Sequence, residues 1–224
     1  MSKQETYNKI AGQDTGRIIA ISDGVFGVAL TLLVLEIRVP FMESIRSEQD
    51  LIHAFLALKS KFLVYFLAFM TTGIFWVGHS SQYKYIQESD RNLNWINLLF
   101  LLSVTMLPFT TAFLGDYVLF KFPVAVYWLN IFLMGAMLYI NWVYACRHHF
   151  VHEATKQLVD VPLRRRIIIA QSLYFLGALL CFVSPVLSIA FIILVQLNYA
   201  FAFLSQRKKS SSSAAPEGDV TPRR

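Results

Sequence analysis

Ser22 and Asp23 stand about two turns inside a run, Arg17 to Leu35 (RIIAISDGVFGVALTLLVL), that is otherwise apolar enough to cross a bilayer. A carboxylate at membrane depth costs roughly 2.5–3.5 kcal/mol on insertion scales, so a chain keeps one where a buried partner or an ion pathway uses it. His79 is the foremost candidate partner, followed by Trp76, Asn94 and Asn97. Trp76 and His79 are three residues apart, as are Asn94 and Asn97, so each pair shares a helix face. Imidazole, indole and amide groups together satisfy a carboxylate's lone pairs. Such a network locks helices together, relays protons or latches a gate. Arg17, at the end of the run, either snorkels to headgroups or joins the network.

At about 100° per residue, and with Asp23 at zero, Val28 falls near 140°, Thr31 near 80°, Leu32 near 180° and Leu35 near 120°. These four share an arc of about 100° centred about 130° from Asp23. The helix therefore has one face of Ser22 and Asp23 and another of aliphatics with a single threonine. The aliphatic face meets lipid or a neighbouring helix, or it walls a pore with hydrophobic rings that gate and a hydroxyl that touches the ion. Thr31 decides little between these, because threonine commonly bonds back to its own helix.

Other reactive residues form weaker patterns. His148 and His152 have the i, i+4 spacing of metal ligands, with His149 between them, but no completing cysteine or HExxH pattern stands nearby; an interfacial basic cluster is the simpler reading. Thr71-Thr72-Gly73 is followed by Ile74 and Phe75 inside an apolar helix, whereas a TVGYG filter needs a re-entrant loop. Ser22, Asp23 and His79 lack the elbow and oxyanion loop of a hydrolase, and no nucleotide-binding motif is present, so an enzyme is not expected. Cys146 and Cys181 are expected to be packed thiols.

The elements that must position these residues are membrane helices. The 224 residues are 56% hydrophobic and 15% charged, with mean hydropathy +0.51. Soluble domains carry about 25% charge, so an all-α integral membrane protein is expected. Six spans are read at 17–37, 59–81, 93–115, 122–146, 165–182 and 184–204, each near the roughly 20 residues a hydrocarbon core requires. Residues 38–58 read as a loop merging into the second span. Fifteen of the 20 lysines and arginines fall on the side holding both termini, which places the termini in the cytoplasm. That asymmetry and anionic headgroups account for the net charge of +6 without a nucleic-acid partner. The expected organisation is an N-terminal segment (1–16) without signal-peptide character, a membrane domain (17–206) and a disordered basic tail (207–224).

Beyond these patterns, the run Arg17-x-x-x-Ile21-Ser22-Asp23-Gly-Val-Phe, continuing through Thr31-Leu-Leu-Val-Leu35-Glu36, closely resembles the first-helix signature of bacterial homologues of transmembrane protein 175. The resemblance extends through Tyr65-x-x-x-Phe69, Trp76-x-x-His79, Asp90-x-x-x-Asn94-Trp95-x-Asn97-Leu-Leu-Phe100 and Leu107-Pro108-Phe109, over roughly the first 120 residues. It implies a potassium-selective channel of a bacterial plasma membrane that has no cofactor and permeates K⁺. It also implies a homotetramer of six-helix subunits in the bilayer, with helix one lining a central pore and no re-entrant filter. Val28, Thr31, Leu32 and Leu35 would then form the pore face, with Arg17, Ser22 and Asp23 holding helix one through Trp76, His79 and Asn97. Two positions depart from the family pattern: Ile21 replaces phenylalanine, and Ser80 stands where many relatives carry a second histidine. The expectation is a weakly to moderately selective potassium channel. Its rivals are a proton-coupled transporter using Asp23 and His79 and a non-transporting membrane scaffold.

Overall fold

The computed structural model describes residues 14–39 and 45–212, except the side chains of 201–212, and is helical almost throughout. Helix α1 (Thr15–Leu35) starts where the Asp14 carboxylate accepts the Gly16 N–H at 2.9 Å. A short α2 (Glu48–Ala57) precedes α3 (Lys59–Tyr83). There follow α4 (Arg91–Thr105), α5 (Leu107–Asp116), α6 (Lys121–Arg147), α7 (Glu153–Leu179) and α8 (Pro185–Ser212). Among the described residues, 5 helical stretches are long and apolar enough to cross a membrane, and Pro185–Ala200 is a shorter apolar sixth.

Four boundaries differ from the expected ones, each for a local reason. Part of the loop read at 38–58 is the separate helix α2, capped by Ser47, whose hydroxyl accepts the Asp50 N–H while donating to its carboxylate. The third span is interrupted at Met106, because Pro108 has no N–H for the helix ladder and opens a new helix instead. Helix α7 begins twelve residues before the expected 165. Its polar first turns dock on α6 through Asp160, which accepts from Trp142 Nε1 at 2.8 Å and Arg164 Nε at 2.6 Å. Helix α8 continues to Ser212, into the segment read as tail, since each residue added to a formed helix gains a hydrogen bond. Residues 1–13 and 213–224 lie outside the described residues, so most of the expected terminal segments does too.

Two packed regions hold the helices. The larger unites α1 and α3–α8 around Phe26, Leu33, Leu67, Phe100, Tyr127 and Met134. The smaller clusters Ile18, Tyr83, Leu93, Trp142 and Phe150, where an antiparallel bridge pairs Ile86 with Val151. At the opposite end, Ser188 Oγ donates to the Gly177 carbonyl at 2.6 Å, closing the α7–α8 hairpin. Cys146 and Cys181 are buried free thiols.

Candidate functional site

Helix α1 buries Ile18, Ser22, Phe26, Ala29 and Leu33, a stripe at helical spacing that faces α3 and α4. The other sides of α1 carry the remaining candidate residues. Val28 is 58% exposed, Leu32 43% and Leu35 66%, and Thr31 is exposed beside them. The Thr31 hydroxyl donates to the Val28 carbonyl at 2.8 Å. Its proton is thus used within the helix, and its lone pairs are left for an outward ligand. An apolar groove of about 380 Å³ runs alongside this strip, between Gly24, Val28 and Leu32 of α1 and Thr105 and Pro108 at the α4–α5 junction.

The polar residues fall into two separate arrangements. Trp76 Nε1 donates to Asp23 Oδ1 at 2.9 Å, on the exposed flank of α1. Ser22, fully buried, belongs to a different chain of bonds. His79 Nε2 lies 2.9 Å from Asn97 Oδ1, Asn97 Nδ2 donates to Ser22 Oγ at 3.2 Å, and Ser22 Oγ donates to the Ile18 carbonyl at 2.7 Å. Because Asn97 Oδ1 only accepts, His79 carries its proton on Nε2. The imidazole also stacks on Phe100, with ring planes 2° apart and centroids 5.3 Å apart. The foremost expected partner of Asp23 is therefore engaged elsewhere, and Trp76 takes its place.

Ser22 and Asp23 consequently do not share a face: adjacent residues on a helix point about 100° apart, and here one is buried and the other exposed. Asn94 stays outside both arrangements, its buried Oδ1 without a partner among the described residues. Arg17 is exposed in the first turns of α1, and no described residue ion-pairs with it. It lies about five turns below Leu35 on the same side of the helix, away from the Asp23–Trp76 bond. Among the histidines after α6, His148 stacks on Tyr144 with centroids 4.1 Å apart.

Several buried polar contacts join residues that the sequence pattern does not pair. Thr71 Oγ1 meets Tyr127 Oη at 2.8 Å and accepts from Gln196 Nε2 at 2.6 Å, joining α3, α6 and α8. Gln82 Nε2 donates to the Leu138 carbonyl at 3.0 Å, and Asn141 Nδ2 donates to Gln82 Oε1 at 3.3 Å. The available signal was the presence of amides inside apolar helices, since a polar side chain at that depth needs a partner. Thr71 and Thr72 sit in the continuous helix α3, Thr72 bonding back to the Ala68 carbonyl at 2.8 Å.

Comparison with known proteins agrees with this architecture. Residues 17–108 match the family model described as the endosomal/lysosomal potassium channel TMEM175. A potassium channel of Streptomyces collinus is 34% identical over 196 residues, covering 84% of this chain and 92% of that protein. One from Chamaesiphon minutus is 31% identical over 193 residues, covering 84% and 94%. The crystal structure of a lysosomal potassium-selective channel TMEM175 homologue from Chamaesiphon minutus superposes with a TM-score of 0.72 at 28% identity, covering 84% of this chain and 97% of that one.

Proposed function

Because the chain belongs to the TMEM175 family of multi-pass ion channels and is not an enzyme, we propose that it conducts potassium as a homotetramer, with α1 of each subunit lining a central pore. The observation that carries this reading is the strip of Val28, Thr31, Leu32 and Leu35, which none of the described residues covers although the opposite face of α1 is packed. Four copies around an axis stack apolar rings, and an apolar constriction closes by dewetting without a moving plug. Four Thr31 oxygens, their protons turned toward Val28, offer lone pairs to a partly dehydrated cation. A large, weakly hydrated ion loses less on shedding water, so K⁺ is favoured over Na⁺, weakly to moderately and without a re-entrant filter. The groove beside Gly24 and Pro108 gives a neighbouring subunit an apolar seat.

In this reading Ser22, Asp23, Trp76, His79 and Asn97 hold α1 at a fixed rotation, so the strip stays turned toward the axis. Arg17 and Asn94 lie at the edges of that latch. The channel unit spans residues 17–206 in the plasma membrane with both termini cytoplasmic, as the lysine and arginine asymmetry supports. The test is single-channel recording of the purified protein in bilayers under bi-ionic K⁺/Na⁺ conditions. Stepwise currents with a reversal potential displaced toward K⁺ are expected. Their absence, with proton flux in liposomes, would mean a transporter; the absence of both, a scaffold.

A further inference from the structure

A second groove, of about 450 Å³, opens on the other side of α1, away from the Val28–Leu35 strip. Leu30 of α1, Phe69, Gly73 and Val77 of α3 and Tyr199 of α8 form its apolar walls, and Arg166 of α7 stands at one end. The guanidinium lies 5.9 Å from the centre of the Tyr199 ring, and none of the described carboxylates ion-pairs with it. Its neighbour Arg164, by contrast, is held by Asp160 at 2.6 Å. Gly73 deepens the wall, for a Cβ there would meet nothing within 4 Å. A cation with no ion-pair partner among the described residues, beside an apolar trough between membrane helices, matches one partner chemistry, a negatively charged headgroup carrying an acyl chain.

The geometry points to a binding site for an anionic phospholipid, its phosphate on Arg166 and one acyl chain along Gly73 toward Phe69 and Leu30. Arginine suits the role because its planar fork gives paired N–H bonds to phosphate while its other face stays on the tyrosine ring. The site rests on the membrane reading alone and stands whether or not the protein conducts potassium.

Native mass spectrometry of the full chain in detergent, with phosphatidylglycerol or phosphatidylcholine of matched chains added, tests it. The anionic lipid should be retained about fivefold better, the preference expected of one arginine near a headgroup. Arg166→Gln should abolish that preference, and Arg166→Lys, which keeps the charge, should preserve it. Arg165→Gln should leave it unchanged. Gly73→Leu, whose Cβ meets nothing within 4 Å and whose side chain projects into the trough, should lower retention of both lipids. Equal retention of the two lipids by the wild type, or an equal loss in the Arg165 and Arg166 variants, would overturn the site in favour of a diffuse basic surface. Disulfide cross-linking of Gly73→Cys between copies would overturn it in favour of a subunit interface.

Discussion

Trp76 donates its indole N–H to Asp23 at 2.9 Å and so ties α3 to α1 by a carboxylate that is exposed on the flank of its helix. Exposure limits what the bond contributes. A hydrogen bond to a charged group is worth about 1.5–3 kcal/mol and one between neutral groups about 0.5–1.5. Asp23→Asn keeps an acceptor, so the loss expected is about 1 kcal/mol, not the 3–5 that follows when a buried ion pair is broken. Thermal unfolding in detergent should show Trp76→Phe, which has no donor and so loses the whole bond, costing more than Asp23→Asn, up to about 1.5–3 kcal/mol. The double variant should be no worse than Trp76→Phe alone, because the two changes remove one interaction. Additive losses would mean that the residues act independently. Reversal potentials of the Asp23→Asn channel should match the wild type; a changed selectivity would put Asp23 on the ion path.

The buried chain from His79 through Asn97 to Ser22 should be the costlier one to break. Asn97→Ala strands the His79 N–H inside the bundle, at about 1–3 kcal/mol for a buried donor without a partner. Ser22→Ala removes only the last acceptor and should cost less. Unfolding measurements on both variants check the order, and an Asn97→Ala protein as stable as wild type would mean that water replaces the amide.

The contrast between these two arrangements marks what could be read from the sequence. The two-faced character of α1 was legible, because helical period alone separates Val28, Thr31, Leu32 and Leu35 from Asp23. The participants Trp76, His79 and Asn97 were legible too, since polar groups in apolar helices are few. Their pairing was not: which partner reaches Asp23 depends on the rotation of α3 against α1, which packing around Phe26 and Phe100 fixes. The early start of α7 was hidden because Asp160 and its neighbours look like loop until Trp142 and Arg164 satisfy the carboxylate. Thr71, Tyr127 and Gln196 were masked by the apolar average of their own helices.

Glycine substitutions separate tight from open helix contacts. A Cβ at Gly135 would collide with the Gln171 side chain, whereas at Gly73 it meets nothing within 4 Å. Gly135→Ala should therefore destabilise the α6–α7 contact by about 1–3 kcal/mol, the usual cost of overpacking. Gly73→Ala should be neutral or slightly stabilising, as alanine is the better helix former. Equal stability of the two variants in the same detergent would show that Gln171 swings aside freely.

Thr31→Val keeps the shape of the side chain and removes its oxygen. The potassium-to-sodium permeability ratio should fall, with conductance retained. A bi-ionic reversal potential identical to wild type would mean that the hydroxyl serves only its bond to Val28.

Leu35→Ala and Leu32→Ala should widen the apolar constriction, raising open probability or unitary conductance. Unchanged currents at normal membrane levels would place the gate elsewhere.

If the exposed strip of α1 faces the ion path, residues on it are reached by aqueous thiol reagents during recording, whereas exposed residues facing lipid are not. Leu35 and Leu102 are comparably exposed on the single subunit, at 66% and 59%, but they lie on α1 and α4. With the native thiols buried, a membrane-impermeant cationic thiol reagent should block current through Leu35→Cys channels and leave Leu102→Cys channels unaffected. Block at Leu102→Cys with none at Leu35→Cys would contradict the pore assignment of α1.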